Sequence, residues 1–276
     1  SVNFNSTTGM YKPEIDKRDP TKLLYPLQWI HTPKTGTSFA NSLYAMSCGD
    51  DIKNVTWNDT MLEQHSVDSH INFHGASKEC KLKWTHGEWL KPPGPPETFF
   101  MIGKHSFRNT SLPLESIFLS IREPASRMVS DAIWEKDLRN VVGSQEAFAR
   151  MRASVRYERF SKLQTVMVLP ETRQNASLLN DPTELKRYAC EVTSKVAWVG
   201  LTEKFDCSVC LLHSMFQFIN HPKETFNMRP ARLSGFNVSE IGSMIRKDIT
   251  LIDDILYGCA KTRFEHDIQN FAPHCC

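Results

Sequence analysis

The stretch Gln28-Trp29-Ile30-His31-Thr32-Pro33-Lys34-Thr35-Gly36-Thr37-Ser38-Phe39 begins as an apolar strand, passes through a tight polar turn and ends as the start of a helix. Leu27 to Ile30 supply the apolar run, Pro33 and Gly36 shape the turn, and Thr37 or Ser38 caps a helix continued by Phe39, Leu43 and Met46 at helical spacing. Free N–H groups at such a helix start, the hydroxyls of Thr35, Thr37 and Ser38, and the Lys34 ammonium all point at one place, and a phosphate fits there. Plain strand-to-helix turns use the same residues, so this stretch alone leaves both readings open. The nucleoside-triphosphatase P-loop is disfavoured, because it needs Gly, four residues, then Gly-Lys-Ser/Thr, and here the lysine precedes the single glycine.

Further apolar runs follow along the chain. Phe99 to Gly103, Ser116 to Ile121 and Val196 to Leu201 are each short enough for buried strands. Between and after them the pattern is helical: Pro124 to Leu138, an arginine-rich stretch from Gln145 to Leu169, and Pro182 to Ser194 with Asp181 as its cap. Phe205, Val209, Leu212, Phe216 and Ile219 mark another helix, and apolar residues spaced by three or four from Ile241 to Phe271 mark one long helix or two in sequence. Strands alternating with helices predict an α/β fold with a parallel sheet, its ligands bound at the carboxyl ends of the strands. Residues 1–26 read as a polar arm, 27–276 as one domain, and 48–98, with the Pro92 to Pro96 run, as an irregular insertion.

The chain has 276 residues, a net charge of +2 and no long basic run, so nucleic acid is not an expected partner. Six Asn-X-Ser/Thr acceptors, at Asn5, Asn54, Asn58, Asn109, Asn175 and Asn237, accompany eight scattered cysteines. Together they point to the secretory pathway and to disulfides, whose pairing the spacing does not choose. Cys207-Ser-Val-Cys210 has no second ligand pair at metal spacing and reads as structural rather than as a zinc site. The chain opens on Ser1 and carries no run of about 18 apolar residues, which suggests a luminal portion whose signal or membrane anchor is absent from it. The arginines at 150, 152, 156 and 159 recur along the arginine-rich stretch, either as a solvated helix face or as an attractor for a polyanionic glycan.

A second anion motif stands where the run ending at Ile121 gives way to a helix: Arg122-Glu-Pro-Ala-Ser-Arg127-Met-Val-Ser130. Arginine suits bidentate phosphate binding and Ser130 can add a hydroxyl, although a strand-end arginine paired with Glu123 explains the same residues structurally. The pair of motifs, Pro-Lys-Thr-Gly-Thr-Ser after the first strand and strand-Arg-x-Pro-x-x-Arg-x-x-Ser-helix later, resembles the two nucleotide-binding signatures of sulfotransferases. The chain is most similar in this respect to the Golgi carbohydrate sulfotransferases of the heparan sulfate 2-O- and 6-O- type. Gly200-Leu-Thr-Glu203 and Asp253-Asp-Ile-Leu-Tyr257 resemble that family's late strand–helix junction and closing helix, whereas residues 48–98 match poorly.

The resemblance implies a P-loop-like three-layer fold, with a central parallel sheet flanked by helices, and a bound 3′-phosphoadenosine 5′-phosphosulfate (PAPS). Lys34, Thr35, Gly36, Thr37 and Ser38 would hold the 5′-phosphosulfate, Arg122 and Ser130 the 3′-phosphate, and Arg232 would close over the nucleotide from the segment Arg229 to Gly235. His105, in Gly103-Lys-His105-Ser-Phe107, matches the family's histidine base, with His86 and His74 as runners-up. Lys34 would stabilise the leaving group, and no metal is expected, because protein cations can neutralise the transferring charge. The expected protein is therefore a sulfotransferase of the Golgi lumen, or a secreted one, that transfers sulfuryl from PAPS to a glycan hydroxyl. An inactive glycan-binding module of the same fold, or an enzyme for a non-glycan acceptor, is the alternative. A nucleotide kinase is disfavoured by the absent Walker lysine.

Overall fold

The computed structural model describes residues 4–5, 10–11, 28–32, 108, 112–134, 138, 141–174, 176–216 and 235–276. Two short strands, β1 (Phe4–Asn5) and β2 (Met10–Tyr11), pair antiparallel. The central sheet has three parallel strands in the order β3 (Gln28–His31), β4 (Ile117–Ile121) and β5 (Trp198–Leu201). All residues of β4 and β5 are buried, the pattern expected of strands covered on both faces. Parallel neighbours need long crossovers, and the one from β4 to β5 is built of helices.

These helices are α1 (Pro124–Trp134), α2 (Ser144–Ala153), α3 (Tyr157–Phe160), α4 (Leu163–Val168), α5 (Glu171–Gln174) and α6 (Pro182–Lys195). Beyond β5 follow α7 (Phe205–Phe216), α8 (Val238–Asp248) and α9 (Asp253–Phe271). The arginine-rich stretch is therefore not one helix: Ser154 is extended (φ −72°, ψ 133°), and the chain turns so that Tyr157 is buried beside Met151 in a core shared with α1 and α8. Its arginines are divided accordingly. Arg150 pairs with Glu146 at 2.7 Å on α2, Arg152 reaches Asp248 at 2.9 Å, and Arg159 lies on α3.

The main core joins the sheet to α6, α7 and α9. Phe118 of β4 stacks on Phe216 with centroids 5.1 Å apart and lies tilted against Trp198 of β5 at 6.1 Å. Gly200 is the small residue this packing requires, since a side chain there would run into the Trp198 ring two positions earlier on the same strand face. At the far end of α6, the buried Arg263 of α9 is paired with Asp267 at 2.8 Å and donates to the carbonyls of Thr193 (3.0 Å) and Val196 (3.4 Å). It thereby satisfies carbonyls that the helix end leaves without partners, just where the chain enters β5.

Three disulfides lie among the described residues: Cys190–Cys259, Cys207–Cys276 and Cys210–Cys275. The first ties α6 to α9 across 69 residues, a loop whose closure in the unfolded chain corresponds to about 4 kcal/mol on the chain-entropy account. Both cysteines of the C-x-x-C pair on α7 are bonded to the C-terminal pair, so the spacing serves covalent tethering. Cys48 and Cys80 lie outside the described residues, as does the strand read at Phe99 to Gly103. No helix among the described residues is long and apolar enough to cross a membrane.

Candidate functional site

The in-register parallel sheet determines what its strand ends can do. His31 is opposite Ser120, Ser120 is opposite Gly200, and Ile121 is opposite Leu201. The chain thus leaves β3, β4 and β5 at one edge, through Thr32, Arg122 and Thr202 respectively. This is the carboxyl edge, where open α/β sheets bind ligands. The buried Thr32 is the last described residue before the Pro33 to Ser38 motif, and β3 runs beside β4, whose last residue precedes Arg122.

Arg122 is half-buried, and burial lowers its guanidinium pKa below the usual value, while Glu203 and Glu123 draw it back up and Arg127 lowers it further. A partly desolvated cation of this kind is favoured by an added anion. The neighbouring carboxylates hold other groups as well. Glu123 accepts from the N–H groups of Ala125 (3.1 Å) and Ser126 (2.7 Å), capping α1, and it is paired with Arg246. Burial pushes the Glu123 carboxyl up, but the Ser126 contacts, Arg246 and Ala125 outweigh it and hold the group below the ordinary range. Glu203 accepts from the Tyr257 hydroxyl and from the Glu123 N–H, the latter at 3.3 Å.

The backbone of Arg122 is gripped from outside the sheet. Its N–H donates to Gln164 Oε1 at 3.0 Å, and Gln164 Nε2 donates to its carbonyl at 2.9 Å. The Thr202 hydroxyl donates to Ile121 O at 3.1 Å, and the Ser208 hydroxyl bonds both Leu201 N–H (2.9 Å) and Leu201 O (3.0 Å). Side chains thus continue the hydrogen bonding of the ladder where the strands stop, and leave the strand-end peptide groups satisfied.

Arg127 and Ser130 lie three apart on α1, hence on neighbouring positions of its surface. They differ in burial: Ser130 is half-buried, whereas Arg127 is wholly buried. Arg127 Nη2 lies 3.7 Å from Asp253 Oδ2 and donates to the Phe160 carbonyl, and its guanidinium sits 5.8 Å from the Phe160 ring centroid. Asp253, equally buried, accepts from the N–H groups of Gln164 (3.0 Å) and Thr165 (2.7 Å) at the start of α4. Burial pushes its carboxyl up, opposed by Arg127 and by those two N–H groups. The second arginine of the motif is thus a structural cation.

Of the site residues expected from the sequence, Arg122 and Ser130 belong to one strand–helix unit. Lys34, Thr35, Gly36, Thr37, Ser38, His105 and Arg232, with His74 and His86, lie outside the described residues. Gln164 and Asp253 hold Arg122 and α1 without having stood out as site residues, because the sequence carries no signal for contacts across 42 positions, from Gln164 to Arg122, or 89, from Asp253 to Gln164. A separate acid-lined cleft of about 530 Å³ is bounded by Glu171, Ser177, Leu178, Asp181, Glu184 and Tyr188 and shares no residue with the strand ends. Its carboxylates make it a poor place for a phosphate. No family model, curated protein or solved structure matches the chain.

Proposed function

We propose that the chain is a PAPS-dependent sulfotransferase of the secretory pathway that sulfates a carbohydrate hydroxyl. The observation that carries this reading is the adjacency of the β3 and β4 carboxyl ends, since each end opens into one of the two anion motifs. Arg122 fits a phosphate partner: it is a half-buried guanidinium one residue beyond β4, at the carboxyl edge it shares with the end of β3.

In the proposed reaction His105 takes the proton from the acceptor hydroxyl as that oxygen bonds to sulfur. Lys34 donates to the bridging oxygen as the sulfur–oxygen bond to the phosphate breaks, so that the electron pair leaves with the 5′-phosphate. Arg122 and Ser130 hold the 3′-phosphate, and Thr35, Gly36, Thr37 and Ser38 hold the 5′-phosphate through backbone N–H groups and hydroxyls. Arg232 closes over the nucleotide. The glycan acceptor approaches from the side of His105.

Transfer of labelled sulfate from PAPS to a panel of glycans tests the reading. The wild-type chain is expected to transfer. His105→Ala should lose about 10²–10⁴-fold, the usual contribution of a general base, and Lys34→Ala about 10²–10³-fold. Wild-type activity in both variants would remove this mechanism, and nucleotide binding without transfer to any acceptor would favour a binding module of the same fold.

A further inference from the structure

We infer that Gln164 is a positioning residue for nucleotide recognition, setting the direction of the Arg122 side chain and with it the selectivity for a 3′-phosphate; this rests on the PAPS reading above. Arg122 lies one residue beyond the last pair of the β4–β5 ladder, Ile121 with Leu201. Its peptide groups would otherwise go without partners at the point where the guanidinium must be aimed. The Gln164 amide supplies both partners, accepting from Arg122 N–H at 3.0 Å and donating to Arg122 O at 2.9 Å. A planar amide bonded to both groups of one residue restrains its φ and ψ together, and so fixes the Cα–Cβ direction from which the side chain reaches.

The clamp is itself held. Gln164 is fully buried, which confines its rotamer, and its own N–H is bound by Asp253 Oδ2 at 3.0 Å, with Thr165 N–H on Oδ1 at 2.7 Å. Asp253 is anchored in turn by its N–H on the Ser161 carbonyl at 3.0 Å and by Arg127 at 3.7 Å. The series runs from the first residue of α9, through the start of α4, to the end of β4. Asp253 also opposes the desolvation of the buried Arg127 beside it, as does Asp131. A buried, fully bonded support of this kind is what a binding side chain needs to be held to within a fraction of an ångström.

The test compares two probes on the full chain by calorimetry: adenosine 3′,5′-bisphosphate, and adenosine 5′-monophosphate, which lacks the 3′-phosphate. The wild-type chain should prefer the bisphosphate, and Arg122→Ala should erase that preference. Gln164→Met, which keeps the length and removes both hydrogen bonds, should weaken bisphosphate binding about tenfold and leave the monophosphate unchanged. Gln164→Glu keeps an acceptor for Arg122 N–H and sets a carboxylate against Arg122 O; it should shift the ratio in the same direction, and it serves as the readout if the methionine variant does not fold. Equal weakening of both nucleotides would mean that Gln164 only supports the fold, and an unchanged ratio in a folded variant would mean that it does not aim Arg122; either result overturns the inference while the nucleotide site stands. A wild-type chain without preference for the bisphosphate, or a preference surviving Arg122→Ala, would overturn the PAPS reading and the inference with it.

Discussion

Replacing Asp253 by alanine should be among the most damaging single changes to this fold. The carboxylate is wholly buried, takes two backbone N–H groups at 3.0 and 2.7 Å, and faces a wholly buried guanidinium at 3.7 Å. Removing it leaves the Gln164 and Thr165 N–H groups without their acceptor and takes from Arg127 the stronger of the two carboxylates that act on it, Asp131 being the other. Breaking one side of a buried pair typically costs about 3–5 kcal/mol, because an uncompensated charge remains inside. For a chain of this size that is a fall in melting temperature of roughly 10 °C, at about 2–4 °C per kcal/mol. The assay is urea unfolding followed by fluorescence, with Trp198 buried against Phe118 as a reporter. A companion double variant, Arg127→Met with Asp253→Leu, exchanges the pair for apolar side chains and should recover at least about 2 kcal/mol relative to the sum of the single changes. An Asp253→Ala cost within about 0.5 kcal/mol, the range of ordinary surface changes, would refute the view that this carboxylate holds α4 and α1 together.

Gly200→Ala should cost about 1–3 kcal/mol by overpacking, because the added methyl meets the buried Trp198 ring; the near-ultraviolet circular dichroism of that indole should change with it, and an unperturbed spectrum would count against the packing described. The Glu123 carboxyl is held below its ordinary range in the folded chain, so it binds a proton less readily folded than unfolded. Its contribution to stability is then complete above about pH 4.5 and is lost as pH falls through the depressed value. Glu123→Gln should lower the urea midpoint at pH 7, and the gap from wild type should narrow on acidification; a gap independent of pH would contradict this.

Much of the framework was legible in local pattern. The runs ending at Ile121 and Leu201 are continuous apolar stretches bounded by polar residues, as buried parallel strands are. Asp181 was readable as a cap, and its Oδ1 accepts from Thr183 (3.1 Å) and Glu184 (3.0 Å) ahead of α6, whose first residue is Pro182. The apolar series from Ile241 to Phe271 left one helix or two open; it is two, α8 and α9, with Ile249 extended between them (φ −141°, ψ 143°). Gln145 to Leu169 reads as helical in pattern, and it is divided among α2, α3 and α4; the breaks, such as the extended Ser154, are unmarked because short helices and turns can share the same apolar spacing. The candidate site was legible only where chemistry and sequence position coincide, as in Arg122 and Ser130. The contacts of Gln164 and Asp253 are invisible at that level: a glutamine between Leu163 and Thr165 and a first-turn aspartate carry no mark of the distant backbone groups they bind.

The charge balance at the strand ends bears on how the proposed nucleotide would be held. Around Arg122 the described residues supply two further guanidiniums, Arg127 and Arg246, against the carboxylates of Glu123, Glu203, Asp253 and Asp254. Arg127 and Arg246 are spent in those pairs, and Glu123 already occupies the first N–H groups of α1, so that helix start offers an anion little beyond what Arg122 and Ser130 bring. A nucleotide bearing phosphates at both ends would therefore draw most of its electrostatic attraction from the other motif, through Lys34 and the backbone N–H groups of its turn, and from Arg232. Arg122 would then discriminate more than it attracts: its loss should bring the bisphosphate down to the affinity of the monophosphate, whereas Lys34→Ala should weaken both nucleotides together and reduce the salt dependence of binding. The opposite ranking, with Arg122→Ala weakening both probes and Lys34→Ala neither, would mean that the anion site is built on β4 alone and that the turn after β3 serves only to join strand to helix.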